Sequence, residues 1–146
     1  MKKKGFTLVE LLAVIAILAI LVIIALPNVM GMFNQAKKNS FATELKNIYQ
    51  VAQQQWMTDS MMSTASITYA RANKTDCAKH VDLSGRTELN YIITIEKDGS
   101  VSSFKASDGT YKYESTSTKL KIEDIKNDDV KQIDGSTVTD LTIACP

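Results

Sequence analysis

The chain has 146 residues, the length of one domain of ordinary size, which leaves no room for a multidomain enzyme. Its 17 Lys and Arg against 16 Asp and Glu give a net charge of +1, too weak a field to recruit nucleic acid or an anionic surface unaided. Two cysteines and a single histidine are too few for a tetrahedral Cys/His metal site.

The most distinctive stretch lies at the N-terminus. Residues 2–4 are lysines, residue 5 is glycine, and over residues 6–26 the only polar side chains are Thr7 and Glu10. Residues 11–26 are apolar without a break. As a helix, 6–26 would be about 31 Å long, close to the roughly 30 Å hydrocarbon core of a bilayer. Lysines before such a run hold that end in the cytosol and send the following chain outward. A secretory signal has a shorter apolar region, about 7 to 15 residues, and a small-x-small cleavage site. The flank Ala25-Leu26-Pro27-Asn28 supplies neither, and no cysteine lies in or just after the run to take a lipid.

Glu10 is the feature a plain anchor does not explain, because a carboxylate at the edge of hydrocarbon is unfavourable unless it is neutralised. One reading is local: Thr7-Leu8-Val9-Glu10 is a capping box, with Thr7 as N-cap and Glu10 reaching back to its backbone N–H. That reading explains a helix start, but not its coincidence with a lysine leader and an unbroken apolar span.

The run Lys4-Gly5-Phe6-Thr7-Leu8-Val9-Glu10-Leu11-Leu12 resembles the class III leader and helix start of type IV prepilins. The resemblance implies that a membrane peptidase cuts between Gly5 and Phe6 and methylates the new amine of Phe6. Glu10 falls where the family keeps a glutamate for assembly, and Pro27 where it keeps a helix-kinking proline. A second proline that many members carry further along is absent, Asn47 standing in its place. The resemblance covers about residues 1–60. Cleavage would remove three lysines and leave 14 basic against 16 acidic side chains, a net −2.

Beyond Pro27 the pattern becomes amphipathic. Phe41, Leu45, Ile48 and Ala52, with Tyr49 and Trp56 beside them, recur at three- and four-residue spacing, which predicts that one helix continues to about Met62 with a half-buried face. Pro27 follows the β-branched run Val22-Ile23-Ile24, so a kink or local melting is expected there. Met57, Met61 and Met62 read as core or edge packing rather than as a promiscuous binding surface. Residues 63–88 show no sustained period and read as a long connecting loop. Within it, Cys77-Ala78-Lys79-His80 lacks a third orienting group for an activated thiol, and the sequon Asn73-Lys74-Thr75 reads as a solvated turn.

From Leu89 the period is two. Residues 90–95, 101–105 and 110–114, separated by Asp98-Gly99 and Asp108-Gly109, predict a three-strand meander with tight hairpin turns. Those aspartates, and Asn127-Asp128-Asp129, read as turn and loop chemistry rather than metal ligands. Residues 122–133 fit either a short helix or irregular chain, and 137–143 alternate as a last strand.

The expected architecture is therefore α+β and pilin-like: a long N-terminal helix, its first half membrane-spanning, packed on an antiparallel sheet of about four strands. The parts are a leader at 1–5, an apolar helix at 6–27, its amphipathic continuation at 28–62, a loop at 63–88, and a sheet with a C-terminal region at 89–146. A bridge from Cys77 to Cys145, like the C-terminal loop staple of many pilins, would tie loop to C-terminus and contribute about 4 kcal/mol on the chain-entropy model.

No acid–base pair, nucleophile constellation, phosphate-cradling loop or metal cluster stands out, so the sequence reads as a structural subunit needing no cofactor, not an enzyme. The resemblance implies the major subunit of a type IV pilus, lodged in the cytoplasmic membrane before assembly and in an extracellular filament afterwards. Its implied partners are further copies of itself, a prepilin peptidase, an assembly ATPase and a platform membrane protein, with no specific nucleic acid. A pseudopilin of a type II secretion system, or a competence pilus subunit, shares every N-terminal feature. A single-pass anchored binding module is the rival from another class.

Overall fold

The computed structural model describes residues 5–63, 65–83, 89–135 and 141–146. The chain divides into two units, Met1–Lys37 and Lys38–Pro146. Helix α1 (Leu8–Asp59) supplies nearly all of the first and opens the second.

In the first unit α1 buries none of its side chains. It continues unbroken through Pro27, so the local melting expected there is absent. Proline deletes one rung of the backbone ladder, but ending the helix would require a second costly nucleation just beyond it.

In the second unit α1 turns Phe41, Ala42, Leu45, Ile48, Tyr49 and Ala52 inward, all buried, at the spacing of one helix face. They pack on a sheet of six antiparallel strands: β1 (Ile67–Ala72), β2 (Thr75–Asp76), β3 (Asn90–Ile95), β4 (Val101–Ser107), β5 (Tyr111–Ser115) and β6 (Lys131–Gln132), in spatial order β2-β1-β3-β4-β5-β6. The α+β arrangement stands, but with six strands rather than four. The edge strands have two residues each, which leaves little unpaired backbone to template aggregation.

The stretch read as a connecting loop contains β1 and β2. Its period was hidden because β1 is covered on both sides: Ile67 and Tyr69 enter the main core, while Ala70 and Ala72 face a second cluster with Cys77 and Ile143. Asn73 and Lys74, at φ 50° and 62°, form the two-residue turn between β1 and β2 and make the sequon an exposed bend. The meander is as expected, with Gly99 and Gly109 both at φ +82° in the hairpins. Of the strand expected at 137–143, residues 137–140 lie outside the described set, and Leu141–Ile143 are irregular chain.

Residues 122–133 resolve into a tandem device. Leu120, Ile125 and Val130 are buried at intervals of five, separated by 3-10 turns at Ile122–Asp124 and Asn127–Asp129 and followed by β6. Each turn is closed the same way: the Asp124 carboxylate accepts the Lys121 N–H at 2.9 Å, and Asp129 accepts the Lys126 N–H at 3.4 Å. The sequence repeats as apolar-Lys-x-acid-Asp, a period of five that matches neither a helix nor a strand.

The helix ends at Asp59, short of Met62. The Tyr69 hydroxyl donates to Asp59 at 2.9 Å and ties the helix end to β1. Met57, Met61 and Met62 are 60%, 86% and 95% exposed, which overturns their reading as core or edge packing. Met61 and Met62 lie past the last helical residue, where no helix face turns them inward.

Candidate functional site at the N-terminal segment

Gly5, Phe6 and Thr7 precede the helix in irregular, exposed backbone, and Phe6 is 87% exposed. The peptide bond between Gly5 and Phe6 is therefore not tied into a helical ladder. Helix α1 begins one residue after Thr7, and the start is closed by three bonds within four residues. The Thr7 backbone N–H and the Thr7 hydroxyl both donate to Glu10 Oε2 at 2.8 Å, and the Glu10 N–H donates to Thr7 Oγ1 at 3.3 Å. The capping box legible in Thr7-Leu8-Val9-Glu10 is formed, with the carboxylate at the positive end of the helix dipole.

From there the apolar surface runs on without cover. The large apolar side chains from Phe6 through Leu26, and then Val29, Met30, Met32 and Phe33, are each about half exposed or more. Burial begins only in the second unit, at Phe41. The apolar surface thus outlasts the 6–26 run that stands out in sequence. At its far end the Lys37 ammonium lies 4.5 Å from the Phe33 ring centroid, an apolar stem with a cationic tip of the kind found at water–hydrocarbon boundaries. Helix α1 is long and apolar enough to cross a membrane.

At the other end of the chain, Cys77 and Cys145 are joined in a disulfide with Cα atoms 5.5 Å apart. The bridge fastens the C-terminal segment across one face of the sheet, where Ile143 and Leu141 meet Ala70, Ala72 and Ile92. It also removes the thiol from Cys77-Ala78-Lys79-His80. His80 Nδ1 sits 3.1 Å from the Cys77 carbonyl, and Nε2 lies 3.9 Å from both Asp76 and Asp82. Asp76 is engaged from the other side by Arg71 at 2.6 Å, and that bond holds its carboxyl below the usual range.

Of the residues singled out in the sequence, Cys77 and Cys145 are joined as expected, while Gly5, Phe6, Glu10 and Pro27 have the positions described above and no role assigned by them. Gly5, Phe6 and Glu10 fall within six residues of chain, while Pro27 stands in mid-helix and the cysteines belong to the other unit. Sequence reasoning gave Thr7 only a capping role and overlooked its hydroxyl as a donor to the carboxylate. The extension of the apolar surface beyond Met30, to Met32 and Phe33, was missed because Asn28 and Gly31 interrupt the run in sequence.

These features define a class: a small α+β domain carried on an N-terminal helix with an exposed, membrane-length apolar surface, preceded by a short basic leader. Residues 1–26 match the family model for the prokaryotic N-terminal methylation motif, so the chain carries the leader and helix signature of type IV pilins and pilin-like proteins, pseudopilins among them. A leader of this kind implies processing by a prepilin peptidase and an assembly machinery. No curated protein and no solved structure matches the chain.

Proposed function

We propose that the protein is the major structural subunit of a type IV pilus. The observation that carries this reading is the continuity of the methylation motif with a helix whose apolar side chains are all uncovered as far as Phe33. A surface of that length needs a second environment. The bilayer supplies it before assembly, and neighbouring copies of the same helix supply it in the filament, so that transfer from one to the other need not expose apolar area to water.

In this reading the cut falls between Gly5 and Phe6, the leader 1–5 is lost, and the amine of Phe6 is methylated. An assembly ATPase and a platform membrane protein then lift the subunit from the membrane, where its C-terminal domain already faces outward. Inside the bundle the Phe6 amine and the Glu10 carboxylate are opposite charges in a medium of low dielectric, each unfavourable unless paired. Pairing the amine of one copy with the carboxylate of the next neutralises both and sets the register between them. Pro27, six turns into the span, is the point at which the packed helix can bend.

The disulfide-stapled C-terminus favours an exposed fibre over the pseudopilin alternative, because a covalent staple helps most where the domain meets an oxidising exterior. Shearing of the cell surface followed by electron microscopy tests the proposal. Long fibres at native expression support it, short ones on overexpression alone indicate a pseudopilin, and none indicates an anchored module. Glu10→Ala should abolish fibres while leaving insertion and cleavage intact.

A further inference from the structure

We infer that Met57, Met61 and Met62 form an oxidant-accepting site, at which hydrogen peroxide converts exposed thioethers to sulfoxides and leaves the domain folded. The chain has six methionines. Met1 precedes the apolar run, and Met30 and Met32 lie on the apolar surface of the first unit. The other three fall within six residues at the end of α1, and they are 60%, 86% and 95% exposed in chain order. Methionine ordinarily fills gaps in a core, yet neither hydrophobic cluster of this domain contains one. Trp56, one residue before Met57, packs against the core instead. The bonds that finish the helix here run through main-chain atoms: the Met57 carbonyl accepts the Ser60 hydroxyl at 3.4 Å, and the Met62 N–H donates to the Asp59 carbonyl at 3.1 Å.

Exposure decides the reaction because a thioether has no proton to lose and reacts as it stands. A sulfur lone pair attacks one peroxide oxygen, the S–O bond forms as the O–O bond breaks, and the hydroxide that leaves takes the proton of the transferred hydroxyl to become water. Each sulfur is oxidised by two electrons and each peroxide reduced by two. Methionine sulfoxide reductases reverse the change. A sulfoxide disrupts a core because it is polar, but a side chain that already meets water loses no packing by becoming one. Nor does a thiol compete for the oxidant, since Cys77 and Cys145 are bonded to each other. The chemistry follows from exposure alone; that the domain meets oxidants outside the cell rests on the filament reading above.

The test treats the full chain in detergent micelles with excess hydrogen peroxide and follows each methionine by mass spectrometry of proteolytic peptides, with the same peptides oxidised after release as the reference. Met61 and Met62 should gain oxygen within about two-fold of the reference rate, and Met57 within about three-fold. A Met30→Leu, Met32→Leu variant removes the inner pair from the comparison. Its Tm, read by near-ultraviolet circular dichroism, should be the same before and after oxidation. Rates more than about ten-fold below the reference at all three positions, as a second copy or a partner seated on them would give, overturn the proposal. So does a Tm lowered by oxidation in that variant, which would show that the sulfurs hold the fold. Neither result bears on whether the chain polymerises, so the site and the filament reading fail separately.

Discussion

Gly99 and Gly109 sit at φ +82° in successive hairpin turns of one meander, yet their surroundings differ. A Cβ at Gly99 would lie 3.1 and 3.2 Å from Cη2 and Cζ3 of Trp56, whereas a Cβ at Gly109 would meet nothing within 4 Å. Alanine at either position carries the same backbone strain, about 1 to 2 kcal/mol for a left-handed residue. At Gly99 a second term is added: one methyl pressed against an aromatic ring, at the low end of the roughly 1 to 3 kcal/mol of overpacking because the ring is only partly buried and can give. Gly109→Ala should therefore destabilise by about 1.5 kcal/mol and Gly99→Ala by about 2.5 kcal/mol. The measurement is urea unfolding, followed by circular dichroism, of a fragment spanning 28–146. That fragment should be a soluble folded monomer, since all the core residues lie in the unit Lys38–Pro146. In a Trp56→Leu background the excess at Gly99 should vanish while the cost at Gly109 stays, a coupling that a double-mutant cycle isolates. Equal costs at the two glycines in the parent, or an excess that survives loss of the ring, would refute the reasoning.

Three further outcomes are expected. Reduction of Cys77–Cys145 should weaken the domain by about 4 kcal/mol and free residues 141–146 first, seen as a lower Tm and as rapid amide exchange confined to that segment and to the β1 face it covers. Acid should also destabilise the domain: the carboxyls of Asp76, Asp98 and Glu114 are held below their ordinary values, by bonds from Arg71, Ser100 and Lys105 respectively. Groups depressed in this way contribute stability above their unfolded values near 4 and lose it as pH falls through the lower folded values, so Tm should decline progressively below about pH 4 and not between pH 5 and 8. Asp124→Ala and Asp129→Ala should each weaken the domain by roughly 1 kcal/mol or less, as exposed caps do, and a thermal melt that moved for only one of them would break the equivalence of the tandem turns.

What the sequence made legible follows from how few physical effects each segment obeys. The span 6–26 answers to solvent alone, the helix face from Phe41 to Ala52 answers to one period, and Asp98-Gly99 and Asp108-Gly109 answer to backbone sterics; all three were read correctly. β1 was not, because it answers to two cores at once and so shows no alternation. The pentads from Leu120 to Val130 were left open because 3-10 turns have no familiar hydrophobic period. Met61 and Met62 were misplaced for want of the helix end, which is set by a tertiary bond from Tyr69 to Asp59 that local pattern does not carry. In the candidate site, residue types gave the roles of Gly5, Phe6 and Glu10 as expectations. That both Thr7 bonds reach the same Glu10 oxygen is a matter of rotamer, and no spacing encodes it.

The central claim, that this chain is a processed and polymerising subunit, is tested most directly by the intact mass of the protein extracted from membranes and from sheared material of cells with an active prepilin peptidase. The account predicts one species beginning at Phe6 with a methylated amine in both fractions. A chain that still begins at Met1, or one cut near Ala25, would contradict it.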